Sequence, residues 1–272
     1  MDSRENITIL GNNNLISDYE NKVATYLRDK NLEYTNKISK EVTPRNTIYS
    51  RYIKRLIDII VSLFACVLLI PLNIILGICT FFDVGSPVFY RQTRVGLNGK
   101  RFTIVKFRNM NNKTDENGKL LPPSQRITKF GRIVRKLSLD ELLNFWCILK
   151  GDMSLIGPRP LPVFIYDRMS NRHKSRSMVR PGLECPRVIT LDYEDTCKYQ
   201  RTYENDVWYV ENVSFLLDLK MTFMLIKMTF SIKNRGKQAN GNGVSYFVGY
   251  DAEGHALSMN KFNNVYGKLE DI

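Results

Sequence analysis

The chain contains one long uninterrupted apolar stretch, the 24 uncharged residues 59–82 between Asp58 and Asp83. A continuous helix of this length, at about 1.5 Å per residue, would reach about 36 Å and cross a hydrocarbon core of about 30 Å. Pro71 lies near the middle, where a ring without an N–H group interrupts the helical hydrogen bonds. Basic residues flank both ends, and the positive-inside tendency would keep both ends in the cytoplasm. Two interpretations stay open, a spanning helix and a re-entrant hairpin bent at Pro71, and the pattern favours the hairpin.

Alternating apolar and polar positions predict two short strands in residues 86–110, joined at Leu97-Asn98-Gly99 by an Asn-Gly turn. A polar loop follows at 112–126. Apolar residues at helical spacing then predict three helical regions, at 127–150, 160–177 and 205–231. From Val207 onward the third region is strongly apolar but is interrupted by four charges, Glu211, Asp218, Lys220 and Lys227. These charges favour a core or interfacial helix over a second crossing.

The two ends of the chain are more polar than its centre. Residues 1–50 show only weak helical patterning around Asp18–Lys30, do not begin like a signal peptide, and are predicted to be an N-terminal extension. From Lys233 onward the sequence is rich in Gly and Asn and is predicted to be a loop. We therefore expect an α+β protein, mostly helical, with four segments: the extension 1–50, the membrane helix 51–85, a cytoplasmic domain 86–232 and a tail 233–272.

The charge of the chain is concentrated in one region. The net charge is +13, and residues 86–185 carry the whole excess, with 20 lysines and arginines against 7 acidic residues. Such a region is typical of a protein that meets a polyanion, either nucleic acid, anionic lipid or a phosphorylated substrate, although a solvated basic surface would look the same. The five cysteines form no C-x-x-C pair, and His173 and His255 are far apart, so no His/Cys metal centre is expected.

Two adjacent carboxylates, Asp140 and Glu141, begin a leucine-rich run inside this basic region. Ser138 and Glu141 match the S-x-x-E capping box, and on that interpretation both acids only start a helix. The alternative interpretation is that the two acids take part in catalysis. An ionised Asp140 among cations is suited to attack on phosphorus, and a neighbouring carboxylate can hold Mg²⁺ together with phosphate oxygens.

Basic residues that could offset the charge on a transferring phosphoryl group surround these acids in sequence. They are Lys106 and Arg108 at the end of a predicted strand, Arg135 just upstream, Arg159 in Gly-Pro-Arg-Pro, and Arg180 before Pro-Gly. Arg159 and Arg180, which lie next to prolines, are also consistent with a purely structural role in a stiff turn. Stiffness would equally hold a guanidinium against phosphate, which it can bind with two parallel hydrogen bonds.

Taken in order from Arg51 to about Phe262, these motifs resemble the bacterial sugar transferases, the monotopic polyprenyl-phosphate phosphoglycosyl transferases of the small, compact type. The resemblance runs through RYIKRLIDII, SPVFYRQTRVG, FTIVKFRNM, TKFGRIVRKLSLDELLNFWCILKGDMSLIGPRP, RPG, DVWYVENVSFLLDLK and EGHALSMNKF. It implies transfer of a sugar 1-phosphate from a nucleoside-diphosphate sugar, expected to be a UDP-sugar, to polyprenyl (undecaprenyl) phosphate, with release of UMP. This is the first membrane step of surface glycan synthesis, for example of capsule or exopolysaccharide.

The resemblance also implies roles for individual residues. Asp140 would be the nucleophile of a covalent phosphosugar intermediate, and Glu141 would bind the required Mg²⁺. Five basic residues would lie near the phosphates: Lys106, Arg108, Arg135, Arg159 and Arg180. Pro71 would bend a re-entrant membrane helix, although the family has a Ser-Pro pair where this chain has Ile70-Pro71. The expected location is the cytoplasmic face of the bacterial inner membrane.

The chain departs from the family pattern after Arg180-Pro181-Gly182. Residues 183–195 replace a Gly-Trp-Ala-Gln-Val-like run and an Asn-Gly-Arg, so the identity of the sugar or nucleotide is in doubt. The expected partners are the nucleotide sugar, the polyprenyl phosphate and membrane lipid, without nucleic acid, and homo-oligomers stay open. Two alternatives remain: a membrane-tethered basic binding protein without catalysis, and an inactive relative with a scaffold role.

Overall fold

The computed structural model describes residues 18–118, 120–189, 197–230 and 245–267. These residues are mostly helical. The helices are Asp18–Ile38 (α1), Lys54–Leu68 (α2), Ile70–Val84 (α3), Pro123–Arg126 (α4), Lys129–Lys136 (α5), Asn144–Lys150 (α6), Val163–Asp167 (α7), Asn171–Lys174 (α8), Lys198–Asn212 (α9), Phe215–Phe230 (α10) and Met259–Tyr266 (α11). The strands are Phe89–Val95 (β1), Arg101–Phe107 (β2), Ser154–Ile156 (β3), Gly182–Glu184 (β4), Phe247–Tyr250 (β5) and Ala256–Ser258 (β6). They pair two by two, β1 with β2, β3 with β4 and β5 with β6. This composition agrees with the predicted α+β class.

The apolar stretch is bent. Residues Tyr49–Leu68 and Ile70–Val84 form two helical arms at 56° to each other, and in the described part of the chain no single helix is both long and apolar enough to cross a membrane. The break falls at Leu69, and Pro71 occupies the first turn of the second arm. A proline is tolerated there because the first N–H groups of a helix have no partner within it. The arms together pass the length and composition test for a broken span or re-entrant loop.

Both arms are fastened to the rest of the protein at their polar ends. Where the apolar part of the first arm begins, Asp58 accepts hydrogen bonds at 3.0 Å from the Ser154 hydroxyl and from the Leu155 amide. At the end of the second arm, Asp83 accepts a hydrogen bond of 2.5 Å from the Thr128 hydroxyl. The apolar side chains between these anchors are largely exposed, among them Phe64, Val67, Ile74, Ile78 and Phe82.

The predicted strand pair is confirmed. β1 and β2 are antiparallel, with Thr93 opposite Thr103 and Tyr90 opposite Lys106. Asn98 and Gly99 both take positive φ, at 52° and 77°. This is the conformation that makes an Asn-Gly pair a turn signal. The hairpin places Lys106 near its open end.

The three predicted helical regions are each interrupted. Region 127–150 contains α5, a 3-10 turn at Leu139–Glu141 and α6, and region 160–177 contains α7, α8 and a 3-10 turn at Ser175–Met178. Region 205–231 is divided between α9 and α10. In the third region the apolar spacing continues across the break because Tyr209 of α9 and Met221 of α10 pack in the same buried cluster. Periodicity alone therefore did not reveal this break.

The first and the last described segments of the chain pack together. Val23, Ala24 and Leu27 of α1 form a buried cluster with Val248, Leu257, Met259 and Phe262. The side-chain amide of Asn31 donates to the Tyr250 carbonyl oxygen at 2.8 Å. Gly249 allows α1 to approach β5 closely, because a Cβ at this position would lie 2.8 Å from the Cβ of Leu27. We call residues 18–38 and 245–266 the terminal module. The prediction of loop from Lys233 is wrong for residues 245–266, and residues 231–244 lie outside the described part.

Candidate active site

The acidic pair lies in a tight turn, not at the start of a regular helix. Leu139–Glu141 is a single 3-10 turn, and Ser138 before it has φ 57° and ψ 26°, a left-handed conformation. The Ser138 side chain makes no capping hydrogen bond, and the Glu141 amide donates to the Ser138 carbonyl oxygen at 3.3 Å. The capping-box interpretation is therefore wrong. A capping residue needs an extended backbone, and here the chain reverses between α5 and α6.

Glu141 is held between two cations. Its Oε1 accepts a hydrogen bond of 2.6 Å from Lys106 Nζ and a second one from the Arg159 guanidinium. Its side chain is 21% exposed. Burial would raise the pKa of Glu141, but the charges of Arg159 and Lys106 outweigh it and lower the pKa to about 2. Glu141 is consequently ionised throughout the neutral pH range.

Asp140 has a different environment, although it is the next residue. It is 8% exposed, and its Oδ2 accepts a 3.2 Å hydrogen bond from the side-chain amide of Asn109. Burial raises the pKa of Asp140, the charge of Glu141 acts in the same direction, and Lys106 and Arg135 oppose both. Adjacent acids whose environments separate their pKa values are suited to separate chemical roles.

Asn109 was not singled out from the sequence, although it follows the predicted strand in the quoted FRNM motif. It is positioned by α5, whose Gly131 packs directly on the Asn109 backbone. A Cβ at Gly131 would overlap the Asn109 carbonyl group. Thr128 caps the same helix, its hydroxyl oxygen accepting a 2.8 Å hydrogen bond from the Gly131 amide. The Asn109 amide that meets Asp140 thus depends on a close helix–backbone contact that only glycine permits.

Arg159 is carried by a turn whose backbone is held on both sides. Its own carbonyl oxygen accepts a hydrogen bond of 3.0 Å from Arg176, and the Pro160 carbonyl oxygen accepts one of 3.0 Å from Arg94. Arg176 is in turn held by two hydrogen bonds to the buried carboxylate of Asp206. Arg94 and Arg176 were both missed in the sequence, because nothing in their spacing points to a distant backbone carbonyl.

The segment that departs from the family pattern touches this site. Arg159 contacts the Glu184 carboxylate at 3.5 Å and donates to the Leu183 carbonyl oxygen at 3.3 Å. Leu183 also lines the cleft that contains Lys106, Glu141 and Arg159. Residues 190–195 of the predicted departure lie outside the described part.

The structure brings together three of the five predicted basic residues. Lys106 and Arg159 bind Glu141, and half-buried Arg135 interacts electrostatically with Asp140. Arg108 instead donates to backbone carbonyl oxygens at the end of α3, among them that of Gly85 at 2.9 Å. Arg180 donates to the Gly151 carbonyl oxygen at 3.1 Å, at the end of α6. Carbonyl groups at helix ends lack partners within the helix, and they accept hydrogen bonds from Arg108 and Arg180. The hydrogen bonds of these two arginines thus go to helix ends and not to the acids.

A match to a known protein family covers the part of the chain that contains the two acids and the cations around them. Residues 49–232 match the family described as bacterial sugar transferase. That range contains the bent apolar stretch, both acids and all the cations around them. The terminal module lies outside it.

Individual relatives are about a third or more identical to the chain over the residues that align. An uncharacterized sugar transferase, EpsL of Bacillus subtilis, is 40% identical over 177 residues, 64% of this chain and 86% of that protein. The UDP-N-acetylgalactosamine-undecaprenyl-phosphate N-acetylgalactosaminephosphotransferase of Aeromonas hydrophila is 35% identical, over 65% of this chain and 43% of that protein. The UDP-glucose:undecaprenyl-phosphate glucose-1-phosphate transferase of Klebsiella pneumoniae is 33% identical, over 66% of this chain and 41% of that protein. The chain thus spans less than half of the two relatives with named substrates.

The ion pairs of Glu141 predict a pH-dependent stability. Because its folded-state pKa of about 2 lies below the ordinary 4.5, the pairs stabilise the fold above about pH 4.5, and this contribution is lost as the pH falls toward 2. We expect Glu141→Gln to lower the free energy of unfolding by about 2–3 kcal/mol at neutral pH. Near pH 2 the variant and the wild type should converge. Denaturant unfolding in detergent across this range measures the difference. The control is Glu116→Gln at an exposed site, and a gap between Glu141→Gln and wild type that does not change with pH would contradict the assignment.

Proposed function

We infer, because this chain belongs to the bacterial sugar transferase family, that it transfers a sugar 1-phosphate from a UDP-sugar to undecaprenyl phosphate and releases UMP. The observation that carries this inference is the grouping of Asp140 and Glu141 with Lys106, Arg135 and Arg159 inside the matched range. Three cations around two acids suit a substrate that brings several negative charges into the site. The Aeromonas hydrophila and Klebsiella pneumoniae relatives are both named for a UDP-sugar and undecaprenyl phosphate.

The reaction proceeds in two displacements at one phosphorus atom. A carboxylate oxygen of Asp140 attacks the phosphorus that bears the sugar, the bond to the bridging oxygen breaks, and UMP leaves with the electron pair. A phosphate oxygen of undecaprenyl phosphate then attacks the same phosphorus. The Asp140–phosphorus bond breaks, and the carboxylate is restored as undecaprenyl-diphosphate-sugar forms. Each step exchanges one phosphorus–oxygen bond for another.

The surroundings of Asp140 suit a nucleophile. The Asn109 amide binds Oδ2, which fixes the carboxylate and leaves the attack to Oδ1. Burial raises its pKa and with it the basicity of the carboxylate, while Lys106 and Arg135 favour the charged form. Lys106 and Arg159 also stand beside the carboxylates, where they can stabilise charge on the phosphoryl oxygens.

We expect Asp140→Asn to retain the fold and to lose the covalent phosphosugar adduct, because an amide oxygen is a far weaker nucleophile. Transfer should fall by at least about 100-fold. Incubation of purified enzyme with a UDP-sugar labelled in the sugar, followed by denaturing electrophoresis, detects the adduct. Asp29→Asn, at an exposed position of α1, is the matched control. A labelled adduct and undiminished transfer in Asp140→Asn would remove the residue from the mechanism.

Mg²⁺ is the cofactor proposed for this site. In the described part of the chain no group of three or more His, Cys, Asp or Glu side chains is arranged to hold a metal. Two adjacent carboxylates nevertheless fit Mg²⁺, which is commonly bound by one or two carboxylates together with substrate phosphate oxygens and water. Because Oε1 of Glu141 binds Lys106 and Arg159, the other carboxylate oxygen is the one suited to the ion. When bound, Mg²⁺ supplies positive charge to the phosphate oxygens.

Removal of Mg²⁺ with a chelator should therefore stop UMP release, and added Mg²⁺ should restore it. In Glu141→Gln we expect Mg²⁺ to restore little activity even at high concentration, because the metal-binding carboxylate is absent. UMP release is measured against Mg²⁺ concentration, with Glu116→Gln as control. Wild-type rates in the presence of chelator, or an unchanged Mg²⁺ dependence in Glu141→Gln, would exclude this role.

The bent apolar stretch is proposed to be a re-entrant membrane anchor. In the first arm, Tyr49–Leu68, only the ten residues 59–68 beyond Asp58 are uncharged, and they reach about 15 Å. The second arm, Ile70–Val84, has 15 residues and reaches about 22 Å, so the apolar part of each arm is short of a core of about 30 Å. The outer ends of both arms are bound to the same body, through Asp58 to Ser154 and through Asp83 to Thr128. A spanning helix would separate these ends by the thickness of the bilayer. The exposed apolar residues of α10, such as Leu216 and Phe223, suit contact with the membrane surface.

This topology predicts that both flanks of the anchor face the cytoplasm. Cysteines introduced one at a time as Arg51→Cys and Arg91→Cys, with Cys66, Cys79 and Cys197 replaced by serine and the buried Cys147 and Cys185 kept, should react with an impermeant maleimide in inside-out vesicles and not in intact spheroplasts. Lys150→Cys marks the side of the catalytic domain. Labelling of Arg51→Cys and Arg91→Cys from opposite sides would establish a spanning helix instead.

A further inference from the structure

The terminal module, which lies outside the family match, is hydrogen-bonded to residues 168–176 of the matched region. The Arg168 guanidinium donates to the side-chain oxygen of Asn21 at 2.7 Å. The Asn171 amide donates to the side-chain oxygen of Asn36, also at 2.7 Å. Both acceptors belong to α1, so this helix of the module is fixed to the segment that contains α8.

Tyr250, the last residue of β5, contacts the same segment at the start of α8. Its hydroxyl oxygen accepts a hydrogen bond of 2.9 Å from the Ser170 amide and lies 2.8 Å from Nδ1 of His173. Ser170 is the residue that caps α8, and its own hydroxyl oxygen accepts from the His173 amide. Tyr250, Ser170 and His173 are all buried. One hydroxyl group of the module therefore fixes the first turn of α8.

The partners of His173 define which way the Tyr250 hydroxyl donates. Burial would raise the pKa of Glu204, but hydrogen bonds from His173 and Arg172 lower it to about 2, so this carboxylate only accepts. Nε2 of His173, 3.0 Å from Glu204, must then carry the proton of the imidazole. Burial lowers the pKa of His173, which keeps the ring neutral and makes Nδ1 an acceptor. The Tyr250 hydroxyl consequently donates to Nδ1 and accepts from the Ser170 amide.

The segment that begins at this capped turn carries Arg176, which holds the backbone of Arg159. α8 continues directly into the 3-10 turn Ser175–Met178. From this turn Nη2 of Arg176 donates to the Arg159 carbonyl oxygen at 3.0 Å, while its Nε donates to Asp206, also at 3.0 Å. The Arg159 guanidinium in turn binds Glu141. The position of Arg176 thus bears on the pairing at the acids.

Aromatic packing provides a second connection between the module and Arg176. The Arg176 guanidinium lies over the buried ring of Tyr203, 5.6 Å from its centre. The Tyr203 ring meets the edge of Phe247, in β5 of the module, with ring centres 5.3 Å apart. It also lies 5.3 Å from the His173 ring, which stacks on Tyr250. The module therefore supports both the backbone that carries Arg176 and the ring against which its side chain packs.

We propose that Tyr250 of the terminal module is a positioning residue for Arg159, because it fixes the helix start from which Arg176 reaches the Arg159 backbone. The inference rests on the proposed function, in which Arg159 stabilises charge on the phosphoryl oxygens. A shift of the Arg159 backbone would move its guanidinium relative to Glu141. The terminal module thereby acts on the site through Arg176, although it lies outside the family match.

The test is a double-mutant cycle between Tyr250→Phe, which removes only the hydroxyl, and Arg159→Ala. In otherwise wild-type enzyme, Tyr250→Phe is expected to lower the rate of UMP release by about tenfold, because a small misplacement of a charged group in an active site costs much of the rate. In Arg159→Ala the same change should lower the remaining rate by less than about twofold, since the effects of residues that act through one another do not add. An equal loss in both backgrounds, or no loss in the wild-type background, would overturn the inference.

Phe262→Leu is the matched control, because Phe262 is buried in the cluster inside the module and the change loosens its packing while keeping the hydrogen bonds of Tyr250. It should release UMP at the wild-type rate, and a loss equal to that of Tyr250→Phe would overturn the role of the hydroxyl. If Tyr250→Phe does not fold, Asn36→Ala takes its place in the cycle, because it removes the hydrogen bond from the exposed Asn171 amide. A loss of about threefold that needs Arg159 is then expected, and unchanged rates would overturn the inference.

If the wild type releases no UMP with any donor, the proposed function fails, and the denaturant midpoint of unfolding in detergent tests the positioning separately. Glu141→Gln should lower this midpoint less in Tyr250→Phe than in the wild type, because a displaced Arg159 contributes less to the pairing that Glu141→Gln removes. Equal lowering of the midpoint in both backgrounds would overturn the inference.

Discussion

Glu141 keeps an ionised carboxylate in a largely buried position, and the site is arranged around that constraint. Lys106 and Arg159, which compensate its charge, are 35 and 18 residues away in the sequence. The pairing therefore joins the end of the β-hairpin, the turn between α5 and α6, and the Gly-Pro-Arg-Pro turn. Loss of Glu141 would leave the largely buried Lys106 without its anionic partner, and an unpaired buried charge costs more than the pair contributes. The supporting contacts of Arg94 and Arg176 hold the Arg159 backbone so that this pairing can form.

The same constraint separates the properties of the two acids. Lys106 and Arg159 both bind Glu141, so the neighbouring Asp140 is left with a neutral partner, the Asn109 amide, and with more distant charges. Its pKa is raised, while that of Glu141 is lowered to about 2. A nucleophile benefits from basicity, and a site for a cation benefits from permanent charge. Two neighbouring carboxyl groups thus have different pKa values because Lys106 and Arg159 bind one of them directly and not the other.

The sequence was informative where a residue type has a local requirement. Asn98-Gly99 forms the predicted turn because both residues take positive φ, and the apolar stretch bends at the break next to Pro71. The sequence was uninformative where the position of a side chain depends on backbone groups that are distant in the sequence. Arg108 and Arg180 bind carbonyl groups at helix ends, and Asn109 reaches Asp140 only because Gly131 lets α5 approach it. Ser138 matches a capping motif, yet its left-handed backbone rules out the cap.

The turn that carries the acids is supported from both sides by the bent apolar stretch. α5, which precedes the turn, is capped by Thr128, whose hydroxyl also donates to Asp83 in the second arm. α6, which follows the turn, ends in carbonyl groups bound by Arg55 of the first arm, at 2.6 Å and 2.8 Å. Each helix next to the acids is thus bonded to a different arm. The turn that carries Asp140 is therefore held by hydrogen bonds to both arms of the bent stretch, through α5 on one side and through α6 on the other.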